Sequence, residues 1–124
     1  MEFRDKQSIY LQIADHFIDN ILLKIWKPED RIPSVREVAV MVEVNPNTVM
    51  RTFTYLQEKG VIYNKRGIGY FVSPGAFNIA HEIKKEAFIE NELPLVFKTM
   101  DMLHFTLDDL KNLYQQSKKV SEKE

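Results

Sequence analysis

Cysteine is absent from this 124-residue chain, which excludes disulfides and thiolate metal sites and fits a cytosolic protein. No apolar run reaches the roughly 18 residues a membrane-spanning helix needs. Charge of one sign is also scarce: 17 Lys and Arg face 18 Asp and Glu, a balance that disfavours bulk coating of nucleic acid. The stretch Met1-Glu2-Phe3-Arg4-Asp5-Lys6-Gln7 is polar and mixed in charge, unlike a secretory signal, so a cytoplasmic protein is expected. His16, His81 and His104 share no metal-binding spacing. No G-x-S-x-G, Walker or G-x-G-x-x-G loop precedes a helix, and Asp108-Asp109 suits a helix N-terminus better than an acid–base pair. No enzyme, no metal and no cofactor are therefore expected.

What is present is patterning. A hydrophobic share of 44% with 11% aromatics supports one domain, or one small domain with an appendage. The spacing predicts a helix over 8–26, with apolar rows Ile9/Ile13/Phe17/Ile21 and Tyr10/Ala14/Ile18/Leu22/Ile25, ended by Pro28. Residues 27–32 read as a connecting turn. Ser34 with Glu37 three residues on is a capping box, opening a short helix that breaks near Glu43-Val44. Asn45-Pro46 opens the next helix at once, with Asn45 as its cap and Pro46 in its first turn. Two helices joined this closely cross at a large angle, as in a helix-turn-helix.

The second of these helices is two-faced: Val49, Phe53 and Leu56 repeat at core spacing, while Asn47, Arg51 and Tyr55 sit four apart, flanked by Thr48 and Thr52. Gly60 stops it. The β-prone runs Val61–Tyr63 and Tyr70–Val72 around a basic, glycine-containing tip predict a hairpin, the wing of a winged helix-turn-helix. Beyond Pro74-Gly75 the chain turns helical and charged, with helices over 76–90 and 92–103. A third opens at the Thr106/Asp109 capping pair and frays from about Ser117. The fold expected is mostly α with a small β-hairpin: a DNA-binding winged helix-turn-helix over 1–75, then a short α-helical dimerisation region over 76–124.

The near-zero net charge hides a polarity. Residues 44–72 hold Arg51, Lys59, Lys65 and Arg66 against Glu58 alone, whereas residues 76–124 hold seven lysines against nine acids. Phosphate attraction acts within roughly 8 Å at physiological salt, so the local balance decides.

Pro33-Ser34-Val35-Arg36-Glu37-Val38-Ala39, Asn47-Thr48-Val49-Met50-Arg51 and Gly67-Ile68-Gly69-Tyr70-Phe71-Val72 together closely resemble the winged-helix head of the GntR family of bacterial transcription regulators. The Asn45-Pro46-Asn47-Thr48 wording and the short C-terminal part resemble the YtrA-type subfamily. The resemblance covers roughly residues 8–75 closely, and the helical remainder by length and pattern only. It implies a homodimer on a pseudo-palindromic double-stranded operator, in this subfamily often near genes for ABC-type transporters. The sequence departs from the usual pattern at Trp26 and Asp30, where glycines are common.

Roles follow from motif position. Arg36 is expected to touch a phosphate or a base edge, and Ser34 and Asn45 lie at helix N-termini that suit a phosphate. Asn47 and Thr48 lead into the major groove, where Asn pairs with adenine and Thr meets a thymine methyl group or a phosphate. Arg51 is the strongest candidate, bidentate to guanine or clamping a phosphate, with Thr52 beside it. Tyr55 either reaches the backbone or packs. Lys65 and Arg66 would approach the minor groove or flanking phosphates, with Gly67 and Gly69 permitting close approach. Ile83, Leu93, Phe97, Met100, Leu107, Leu110 and Tyr114 are expected to form the dimer interface together with a small core. The expected regulator is a repressor occupying two half-sites roughly 34 Å apart. An unidentified small-molecule effector near Phe77, Phe88 and Phe97 is a further expectation, although packing explains those rings more simply. The competing reading is a winged-helix protein-interaction module without specific DNA binding.

Overall fold

The computed structural model describes residues 7–123; Met1–Lys6, most of the polar stretch read above as unlike a secretory signal, lie outside the described residues. The order is α1 (Ile9–Leu22), α2 (Val35–Val42), α3 (Pro46–Glu58), β1 (Ile62–Lys65), β2 (Gly69–Val72), α4 (Ala76–Ala87), a π-helical turn (Phe88–Glu92), α5 (Leu93–Leu103) and α6 (Leu107–Lys123). No helix among the described residues is long and apolar enough to cross a membrane. The chain divides into two compact units, one ending at Lys85 and the other beginning at Glu86. The first unit runs past Pro74-Gly75 because Ala76 and Ala80 of α4 are fully buried in its core, with Ile79 and Ile83 packed beside them.

Helix α1 stops at Leu22, short of the expected residue 26. Lys24 takes a left-handed conformation (φ 61°), and the N–H groups of Lys24 and Ile25 close on the carbonyls of Ile21 and Asn20. That is a Schellman ending with lysine where glycine is usual. The chain then folds Trp26 edge-on against Phe17, with ring centroids 4.8 Å apart, and the Asp30 carboxylate accepts the Lys27 N–H at 2.8 Å. The two departures from the family pattern thus close the turn by packing and by a side-chain hydrogen bond. Residues 29–32 are more than a turn: Glu29 N–H donates to Val72, Val72 N–H to Asp30 and Ile32 N–H to Tyr70. With the isolated Arg31–Phe71 bridge, they pair along the free edge of β2.

The caps in α2 and α3 are as expected. Ser34 and Glu37 form a reciprocal capping box. The Asn45 side chain accepts the Asn47 N–H at 2.8 Å, ahead of Pro46, and Gly60 is left-handed at φ 82°. Strands β1 and β2 pair antiparallel, Ile62 with Val72 and Lys65 with Gly69. Alternation along them sends Ile62 and Val72 inward.

The core is the inner face of α1 and α3 closed by α2, the hairpin and α4. Phe17, Phe53 and Tyr70 meet edge to face, Phe17 to Phe53 at 5.6 Å and Phe53 to Tyr70 at 4.8 Å. This row ties α1 to α3 and α3 to the wing. Each such pair contributes about 0.5–1.5 kcal/mol beyond burial.

In the second unit the π-helical turn directly precedes Pro94, which lacks an N–H and is held in the first turn of α5. Thr106 and Asp109 cap α6 reciprocally at 2.9 and 3.1 Å. Helix α6 runs to Lys123, past Ser117. Lys118 and Lys119 lie toward its C-terminal end, where cations favour the helix dipole.

Candidate nucleic-acid interface

The outer face of α3 carries a shallow groove lined by Asn47, Met50, Arg51, Thr54, Tyr55 and Glu58, with Tyr10 of α1 at its border. Positions 47, 50, 51, 54, 55 and 58 follow one helical stripe. Asn47, Arg51 and Thr54 are exposed and Thr48 is half-buried at the N-terminal end. Asn45 satisfies one free N–H of that end, while the opposite face seats Val49, Phe53 and Leu56 with no exposure at all. A rigid helix therefore presents polar side chains outward from its first two turns, the geometry of a major-groove reader.

Arg51 is not free in solvent: its guanidinium carbon sits 4.2 Å from the centroid of the Tyr10 ring. Tyr55 lies edge-on to Tyr10 at 6.4 Å, and burial, aided by Tyr10 and Asp15, holds the Tyr55 phenol above its ordinary pKa, so it stays a neutral donor.

Thr52 does not belong to this face. It is completely buried, and its hydroxyl donates to the Tyr10 carbonyl at 2.7 Å, so the expectation that it contacts DNA is corrected. A threonine in a polar-looking stretch reads as a surface residue until its partner on another helix is visible.

Ser34 is engaged as the cap of α2, its oxygen accepting the Glu37 N–H at 3.1 Å, and Arg36 projects exposed from the same turn. At the wing tip Lys65, Arg66 and Gly67 are all exposed. The Lys65 ammonium sits 4.7 Å from the Phe71 ring centroid, and Tyr63, the cross-strand partner of Phe71, stacks on that ring at 5.8 Å. Tyr63 donates its hydroxyl to the Glu29 carboxylate, which raises its pKa. Gly67 (φ 80°) and Gly69 (φ 146°) take backbone conformations that side chains resist, and a Cβ at Gly69 would lie 3.0 Å from the Arg31 guanidine Nε. Arg31 thus joins the wing's cations. Sequence reading missed it because residues 27–32 carry too few positions to show strand alternation. Met50, Thr54 and Glu58 were missed although their spacing to Asn47 and Arg51 signals a shared stripe. Among the described residues no group of three or more metal-binding side chains comes together.

The candidate dimerisation residues divide. Ile83 is half-buried against the core of the first unit. In the second unit Met100 is buried and Leu93 half-buried, while Phe97, Leu107, Leu110 and Tyr114 stay exposed.

Comparison with known proteins agrees with this geometry. The family model "Bacterial regulatory proteins, gntR family" matches residues 9–72. The HTH-type transcriptional repressor YtrA of Bacillus subtilis is 30% identical over 122 residues, spanning 95% of this chain and 88% of YtrA. The uncharacterized HTH-type transcriptional regulator YhcF of Bacillus subtilis is 40% identical over 83 residues, or 67% of this chain and 68% of YhcF. A crystal structure of a GntR-family regulator from Bacteroides thetaiotaomicron superposes with a TM-score of 0.75 at 45% identity, covering 91% of this chain and 98% of that one. With its capped recognition helix, wing and YtrA-like length, the chain belongs to the GntR family of bacterial transcription regulators.

Proposed function

We propose that the protein is a homodimeric repressor that occupies a pseudo-palindromic operator, its two α3 helices in successive major grooves roughly 34 Å apart. The observation that carries this reading is the exposed stripe Asn47, Arg51 and Thr54 on a helix whose other face is wholly buried. Asn47, Thr48 and Arg51 supply base readout, while Arg36, Lys65 and Arg66, joined by Arg31, supply phosphate affinity.

The dimer reading is supported by the second unit. Leu95, Phe97, Leu103, Leu107 and Leu113 are each about half or more exposed, an apolar display that a soluble monomer rarely carries and that a symmetric partner would cover. Repression follows YtrA, whose name records that role and whose likeness runs along most of both chains. The YtrA-type resemblance also supports an operator near genes for ABC-type transporters. A small-molecule effector, in the same reading, acts by preferring one arrangement of the two heads.

The test is selection of duplexes from a randomised library by the full chain, followed by stoichiometry on the recovered site. An inverted repeat bound by two chains, with affinity falling steeply as salt rises, is the expected result. Recovery of no consensus, or salt-insensitive binding, would leave the winged helix as a protein-interaction module.

A further inference from the structure

The reading stripe is completed by a residue from outside it. Tyr10 stands in the first turn of α1, yet its ring lies beneath the Arg51 guanidinium at 4.2 Å and edge-on to Tyr55 at 6.4 Å. Its backbone is fixed to α3 as well, because the hydroxyl of buried Thr52, the neighbour of Arg51, donates to the Tyr10 carbonyl at 2.7 Å. We propose that Tyr10 is a positioning residue for DNA recognition, holding Arg51 extended over its ring before DNA arrives. The inference rests on the reading of Arg51 as a base-contacting residue.

The chemistry favours a ring over an ion pair for this task. A carboxylate partner would occupy the N–H donors of the guanidinium and would repel phosphates. An aromatic face attracts the cation through its π electrons and uses none of those donors. All of them stay available for the paired acceptors of a guanine edge. A free arginine loses much rotamer freedom on binding, whereas one already resting on a ring loses less. The edge-on contact with Tyr55 stops the ring from following Arg51 if it swings.

The experiment measures affinity of the full chain, by fluorescence anisotropy, for the duplex that wild type selects from a randomised library and for a scrambled duplex. The variants are Tyr10→Leu, which removes the ring but keeps bulk, Tyr10→Phe, which keeps the ring, Arg51→Ala, and Tyr10→Leu combined with Arg51→Ala. Tyr10→Leu weakens binding to the selected duplex by roughly threefold to tenfold, the scale of one cation–π contact. Tyr10→Phe binds like wild type, the scrambled duplex is bound equally by all, and Tyr10→Leu costs nothing further once Arg51 is alanine. Wild-type affinity in Tyr10→Leu, tighter binding (a ring that restrains Arg51 away from DNA), or an equal loss in the Arg51→Ala background overturns the inference while leaving the operator reading intact. A misfolded Tyr10→Leu would reveal itself by losing the scrambled duplex and its helical circular dichroism; Tyr10→Met, which also lacks the ring, then replaces it in the cycle with Arg51→Ala, and additive losses there overturn the inference. If Arg51→Ala itself binds the selected duplex like wild type, the base-reading role fails and the positioning role fails with it.

Discussion

The hydroxyl of Thr52 donates to the backbone carbonyl of Tyr10 across 2.7 Å, joining α3 to α1 inside the core. Because Thr52 has no exposed surface, its contribution is to the packing of the recognition helix and not to contact with DNA. Thr52→Val keeps the shape and removes the donor. It should lower stability by about 0.5–1.5 kcal/mol, the net worth of one such bond, while leaving the ratio of operator to scrambled-duplex affinity unchanged. Chemical denaturation and anisotropy on the same preparation check both halves; a change of selectivity without loss of stability would return Thr52 to the interface.

Lys84 fastens α4 to α1. Its ammonium lies 2.9 Å from Asp19 and 3.0 Å from Asp15. Burial lowers its pKa, but the hydrogen bonds with Asp19 and Asp15 outweigh burial and leave it above the ordinary 10.5. A lysine stabilised in its charged form contributes fully below its unfolded pKa, and that contribution is lost as pH rises through the higher folded value. The side chains are 32–42% exposed, so solvent screening limits the gain to about 0.5–1 kcal/mol. Lys84→Met should therefore be less stable than wild type at neutral pH, with the gap closing only above pH 10.5. Urea unfolding of both proteins from neutral to strongly alkaline pH is the check, since the tyrosines titrate in both and cancel in the difference.

The wing glycines should differ in their cost of replacement. Both have positive φ, but a Cβ at Gly67 meets nothing within 4 Å, whereas one at Gly69 lies 3.0 Å from Arg31 Nε. Gly67→Ala pays only backbone strain, about 1 kcal/mol. Gly69→Ala adds displacement of the Arg31 side chain and reaches about 1–3 kcal/mol. Thermal unfolding of the two variants should rank them in that order, and equal melting temperatures would mean that Arg31 yields freely.

The dimer proposal predicts that Phe97→Asp converts the protein to a monomer. Phe97 is 49% exposed in the single chain, so its loss leaves α5 folded while placing a charge in the covered surface. Sedimentation velocity should show wild type as a dimer and the variant as a monomer with an unchanged helical spectrum. A wild-type monomer at micromolar concentration would remove the dimer from the account.

Much of this architecture is legible in the chain because its signals are local. Ser34 with Glu37, Asn45 before Pro46, and Thr106 with Asp109 each satisfy backbone groups within three residues. The helix starts were therefore readable without knowing the fold. The exit of α1 was not, because Lys24 adopts a left-handed turn that only the packing of Trp26 on Phe17 makes worthwhile. The pairing of residues 29–32 depends on its partner β2 and carries no periodicity of its own. The same limit hid Tyr10 and Thr52, whose roles depend on a contact 42 positions apart. Local chemistry announces caps and turns, whereas tertiary contacts decide which polar residue faces DNA.

In the proposed function α3 reads base sequence through Arg51. The most direct measurement is the affinity of Arg51→Ala for the duplex that wild type selects, set against a scrambled duplex at the same salt concentration. A loss of about 1–3 kcal/mol on the selected duplex and little change on the scrambled one is expected. Equal losses on both duplexes would make Arg51 a phosphate clamp, and no loss on either would contradict the assignment of the reading face.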